Sequence, residues 1–127
     1  MPLSSDRLRK QEHTLRMKGT SLFRIAVRRI EQAALEILKE FGLCPGDLKQ
    51  VVLHQANGRI LSHLADRLGM GRDRLASVIE GYGNTSSASL SIALDDVVRG
   101  GNISPGDLVL LGSFGGGLTW ATGLLRW

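Results

Sequence analysis

One cysteine, three prolines and few aromatics (three Phe, two Trp, one Tyr) occur among the 127 residues. A lone thiol, Cys44, forms no internal disulfide, and with three scattered histidines it builds no zinc cluster. The sequence therefore predicts no metal site, no bound cofactor and a reducing, cytoplasmic setting. No run approaches the ~18–20 apolar residues of a membrane helix. The opening residues, MPLSSDRLRKQEHTLR, are polar and lack the apolar centre of a secretory signal. The scarcity of aromatic rings also weighs against a nucleic-acid binder, which needs them for base stacking.

What is present is basic and rich in glycine. Sixteen Lys and Arg stand against twelve Asp and Glu, a net charge of +4 that favours an acidic partner. The sixteen glycines exceed the usual ~7% and crowd into Gly81–Gly83, Gly100–Gly101 and Gly112–Gly117. Clustered between apolar runs, they point to tight turns around a site.

The hydrophobic pattern gives the order of elements. Phe23, Val27, Ile30, Ala34, Leu38 and Phe41 recur at helical steps, which predicts a long helix from Ser21 closed by Gly42. QVVLH (50–54) reads as a short buried strand, and Asn57 opens a helix that ends at Gly69. LASVIE (75–80) reads as another strand, and a helix follows from Thr85 to about Arg99. Leu108–Phe114 and Leu118–Leu125 flank three glycines and should pair as a hairpin. The sum is an α/β fold in the order α-β-α-β-α-β-β, a mixed sheet covered by helices.

In such sheets chemistry collects where strands end and helices begin. His54 follows QVVL directly, with Gln55, Asn57 and Arg59 crowded into the same junction. Asn84 follows LASVIE and Gly81-Tyr82-Gly83 in the same way. The plain reading of His54 is a satisfied core histidine, and that of Asn84 a helix cap. If the two strand ends converge, an imidazole N–H and an amide NH₂ would both donate to one oxygen, an oxyanion-type site. Gly115–Gly117 is no phosphate loop, because it leads into a strand without the Lys-Ser/Thr end. The arginines from Arg24 to Arg74 form a basic face or a solvated surface. His13, His63 and the adjacent Asp95 and Asp96 are assigned no role.

Three ordered motifs, HQANGRI (54–60), GYGNTSSAS (81–89) and FGGGLTW (114–120), resemble β-ketoacyl-acyl-carrier-protein synthase III, a thiolase-fold condensing enzyme. MKGTSLFRIAV (17–27) and PGDLVLLGSFGGG (105–117) are similar too, and the resemblance covers the C-terminal half of that family. It implies a polar N-terminal segment at residues 1–16 and a thiolase-like domain at 17–127. It also implies catalytic roles for His54 and Asn84 and an oxyanion-binding N–H at Gly116. Arg24 and the segment Gln55, Ala56, Asn57, Gly58 and Arg59 fall where the family meets acyl carrier protein and coenzyme A thioesters. Fatty-acid synthesis is the implied pathway, with acyl-coenzyme A and malonyl carrier protein as substrates. A starter-unit synthase of polyketide or quinolone type is an alternative, as is a non-catalytic carrier-protein remnant.

The departures are Leu53 for the family's proline, with Leu118 and Ala121 for its Phe and Gly. The family's nucleophilic cysteine belongs to its N-terminal half, and Cys44 does not replace it. On the family's strand order the central first strand is missing here. Two expectations follow: an empty slot in the sheet, and dependence on the N-terminal half or a second copy for acyl transfer and for stable folding.

Overall fold

The computed structural model describes residues 4–12, 14 and 19–127. The expected boundary between residues 16 and 17 lies outside the described residues, as does His13. A short helix α1 (Ser5–Arg9) buries nothing. It precedes the long helix α2 (Gly19–Glu40). Ala26, Val27, Ile30, Ala34 and Leu38 form the buried stripe of α2, as the three- and four-residue spacing dictates. Gly42 ends it at φ +68°, donating its N–H to the Lys39 carbonyl while Leu43 N–H reaches the Leu38 carbonyl at 2.8 Å. Only a residue free to take positive φ closes a helix in that paired fashion.

Besides two single 3-10 turns at Pro45–Asp47 and Arg72–Arg74, the remaining elements are β1 (Gln50–Leu53), α3 (Gly58–Arg67), α4 (Ile79–Tyr82), α5 (Ala88–Arg99), β2 (Leu108–Gly115) and β3 (Thr119–Arg126). They build a three-stranded sheet in the order β1-β2-β3. β1 runs parallel to β2, with Gln50 opposite Val109 and Leu53 opposite Gly112. β2 and β3 form the expected antiparallel hairpin, paired from Leu108–Arg126 to Gly115–Thr119.

Both faces of β1 and β2 are covered, which is why QVVL is apolar throughout its centre and does not alternate. Val51, Leu53 and Leu110 pack with Ile30 and Leu38 of α2 and Leu61 and Leu64 of α3. Val52 and Val109 face the other way, onto Ala93 and Val97 of α5. The fold class is therefore the α/β mixed sheet with helices that the sequence predicts.

Three expectations are corrected. LASVIE is not a strand: Leu75 makes a single parallel bridge to Val51, and the chain then turns into α4. The reason is that the Ala76 carbonyl and the Val78 N–H are taken by the Gln55 side chain and not by a ladder. The third long helix starts at Ala88, not Thr85, because Ser86 sits at φ +58° and breaks the helical path. The empty slot is also absent. β1 and β2 are direct neighbours, and the argument for instability from unpaired strand edges inside the sheet falls with it.

The core assignment carries a stability test. Leu64 is 1% exposed and Leu35, one helix away, is 42% exposed. Leu64→Ala should cost ~2–5 kcal/mol in chemical denaturation. Leu35→Ala should stay within about 0.5 kcal/mol.

Candidate active site

The parallel ladder extends one bond past β1, where His54 N–H donates to the Gly112 carbonyl at 2.8 Å. That bond pins the His54 backbone at the carboxyl end of the strand, beside the start of the glycine-rich turn. The half-buried ring stands edge-on to Phe114, with centroids 5.4 Å apart at 75°. Its Nδ1 lies 2.6 Å from Ser89 Oγ. Burial lowers the imidazole pKa from its ordinary value, and hydrogen bonding to the Ser86 backbone opposes this only in part. The uncharged ring is the resting form at neutral pH.

Gln55 is fully buried. Its Nε2 donates to the Leu53 carbonyl at 2.8 Å and the Ala76 carbonyl at 3.2 Å, and its Oε1 accepts the Val78 N–H at 3.0 Å. This corrects its expected place in a carrier-protein surface. All the amide's capacity used here is spent inside the chain, tying the end of β1 to the segment before α4. The exposed Asn57 caps α3, its Oδ1 accepting the Arg59 N–H at 2.8 Å. Ala56 and Gly58 are half-buried beside it, and Arg59 is exposed.

Asn84 is not the cap of a helix. Its Oδ1 accepts the Ser86 N–H at 3.0 Å, which commits the oxygen and leaves the NH₂ as the donating end. The hairpin tip completes the floor. Gly117 and Leu118 both hold positive φ (73° and 57°), and Leu118 N–H closes the turn on the Gly115 carbonyl at 3.1 Å. Gly116 is exposed, with open space where a Cβ would stand.

His54, Asn84 and Gly115–Gly117 line one broad open cleft of about 2320 Å³. Arg24 and Arg28 of α2, Arg59 of α3 and Arg72 lie on its walls. Arg67, also on the wall, is paired with Glu31. Among the described residues the other four arginines have no carboxylate partner, so the rim is positive. Arg29 stacks over Trp120 at 4.8 Å and fixes that ring against α2. Cys44 is exposed and does not line the cleft.

The family description 3-oxoacyl-[acyl-carrier-protein (ACP)] synthase III C terminal matches residues 38–127. The chain belongs to that family. It is 50% identical over 113 residues to the β-ketoacyl-[acyl-carrier-protein] synthase III of Desulfotalea psychrophila, covering 89% of this chain and 35% of that protein. The Caldanaerobacter subterraneus enzyme of the same name is 41% identical over all 127 residues, 38% of its own length. The solved Aquifex aeolicus 3-oxoacyl-[acyl-carrier-protein] synthase III superposes with a TM-score of 0.86 at 44% identity, covering 88% of this chain and 36% of that one. The chain thus spans little more than a third of the curated relatives it matches, and corresponds to their thiolase-like C-terminal part.

Sequence reasoning missed the inward role of Gln55 and the part played by Ser89. A signal for Ser89 existed, because it shares the buried stripe of α5 with Ala93 and Val97, where a hydroxyl needs a partner.

Two measurements follow. Gln55→Leu strands the Leu53 and Ala76 carbonyls and the Val78 N–H, and should lower unfolding free energy by more than ~2 kcal/mol, since each buried unpaired group costs about 1–3. For His54, a folded pKa below the unfolded value of ~6.5 means the unfolded state binds more protons in acid. Its contribution is complete above ~6.5 and is lost as pH falls through the folded pKa. Denaturation midpoints measured against pH should therefore fall less steeply for His54→Gln.

Proposed function

We propose that this chain supplies the C-terminal part of the site of a 3-oxoacyl-acyl-carrier-protein synthase III. Such an enzyme condenses an acyl primer from acyl-coenzyme A with malonyl carrier protein in fatty-acid synthesis. The observation that carries this reading is the shared cleft: His54, Asn84 and the Gly116 turn reach it from three different segments.

The chemistry assigns each group a task. A thiolate accepts the acyl group from coenzyme A, and its tetrahedral oxyanion takes a hydrogen bond from the Gly116 N–H. Malonyl thioester then loses carbon dioxide, and negative charge develops on its thioester oxygen. The Nε2 of His54, once it carries a proton, and the NH₂ of Asn84 donate to that oxygen, in a site where both groups are already positioned. The enolate carbon attacks the acyl carbonyl, the new carbon–carbon bond forms, and the thiolate leaves. Arg24 and Arg59 on the positive rim suit an acidic carrier protein and the phosphates of coenzyme A.

The chain's one cysteine, Cys44, does not line the cleft, so it does not take the nucleophile's place. The cleft is also much larger than the ~300–1,000 Å³ of a closed small-ligand pocket. We therefore assign the thiolate and the opposite wall to residues outside these 127, contributed by the N-terminal half of the enzyme or by a second chain. A starter-unit role deserves a place beside fatty-acid synthesis for one reason. The priming β-ketosynthase of the R1128 polyketide pathway matches with a TM-score of 0.82 at 44% identity, as close in sequence as the Aquifex enzyme.

Two tests apply. The 127-residue chain incubated with acyl-coenzyme A should gain no acyl adduct by intact mass, and a Cys44 adduct forming faster than on a free thiol would overturn the assignment. With the nucleophile-bearing half supplied, His54→Ala and Asn84→Ala should each lower the rate of malonyl decarboxylation ~10²–10³-fold, the usual cost of one oxyanion donor. Retention of full rate by either would sink the mechanism.

A further inference from the structure

The Ser89 hydroxyl meets three polar groups at once. The Gln55 N–H points at Oγ from 3.1 Å, the Ser86 carbonyl lies 2.9 Å away and His54 Nδ1 lies 2.6 Å away. Ser89 is 1% exposed, so bulk solvent does not compete for these contacts. A hydroxyl has one proton and two acceptor positions. The Gln55 N–H can only donate and occupies one acceptor position. The Ser86 carbonyl can only accept and claims the proton. What remains for Nδ1 is a lone pair, and a 2.6 Å contact to a lone pair requires a proton on the nitrogen. The reverse arrangement turns the hydroxyl proton to a bare Nδ1 and sets oxygen lone pairs against the Ser86 carbonyl. In a buried site that opposition is costly.

We propose that Ser89 is a positioning residue that holds neutral His54 as the Nδ1–H tautomer, so that the Nε2 lone pair faces the cleft. Ser89 lies with Ala93 on the buried stripe of α5, and turning its hydroxyl away would leave the buried Gln55 N–H without its partner. Resting on the reading of His54 as a reacting group, this orders its work. The ring first meets the cleft as a proton acceptor. A thiol nucleophile gives up its S–H proton, an Nε2–H bond forms, and a thiolate faces an imidazolium with no net change in charge. Acyl transfer then releases coenzyme A as a thiolate that takes its proton from solvent. The Nε2–H therefore stays on the ring and donates to the thioester oxygen beside Asn84.

The tautomer is read directly by long-range proton–nitrogen correlation NMR on the chain labelled with ¹⁵N-histidine, at a pH well above the ring's titration. His54→Gln identifies the signals. The expected result is a pyrrole-like Nδ1 and a pyridine-like Nε2 in the unmodified chain, kept in Ser89→Thr and shifted toward the Nε2–H form in Ser89→Ala. A pyrrole-like Nε2 in the unmodified chain overturns the proposal outright, whether or not any variant folds. Ser89→Ala that folds with the Nδ1–H form intact removes Ser89 from the role. The measurement uses no substrate, so failure of the condensing activity with the tautomer as expected would count against the proposed function alone.

Discussion

The parallel pairing of β1 with β2 is the contact on which the rest of the site depends. Its last bond, from His54 N–H to the Gly112 carbonyl, lies just beyond the end of β1. One residue further along β2 the chain begins Ser113-Phe114, whose ring flanks His54, and then the glycine turn. The register of four residue pairs thus fixes both the histidine and the loop it must face. A one-residue slip would reverse which side of the sheet each residue occupies. Gly112 shows how tight the fit is: a Cβ there would come within 2.7 Å of the Leu53 side chain.

Around that ladder lies a buried polar frame. Gln55 and Ser89 are both sealed from solvent, and each satisfies groups from more than one segment. Such a frame adds little net stability when complete, because every bond replaces one to water. Its value is uniqueness, since any alternative packing leaves several buried groups unpaired at once. The frame joins the end of β1, the segment before α4 and the start of α5. Those three stretches carry or flank His54 and Asn84, so the positions of the two side chains proposed to act are set by buried groups behind the cleft.

This frame is also where sequence reasoning ran out. The α2 stripe, the hairpin and the strand-end placing of His54 were legible because each rests on local periodicity or turn chemistry. LASVIE misled because a run of apolar residues looks the same whether its backbone bonds to a strand or to a glutamine from another segment. Gln55 misled for the matching reason, since a polar residue beside a histidine looks like surface until its partners are known. The expected gap in the sheet came from a family's strand order and not from these residues. QVVL and LVLLG, apolar enough to be covered on both faces, are direct partners.

Two strained positions fall in the same small region, and their placement has a physical sense. Ser86 and Leu118 are two of the three non-glycine residues at positive φ among the described residues, and both lie at the cleft. A branched or long side chain in that conformation costs free energy that a glycine would not. At Ser86 the return is visible: the turn brings its N–H to Asn84 Oδ1 and its carbonyl to the Ser89 hydroxyl. One strained residue therefore orients the amide on one side and, through Ser89, the imidazole on the other. The two donors assigned to a single oxygen are coupled through that backbone unit, so a change that relaxed Ser86 would disturb both together.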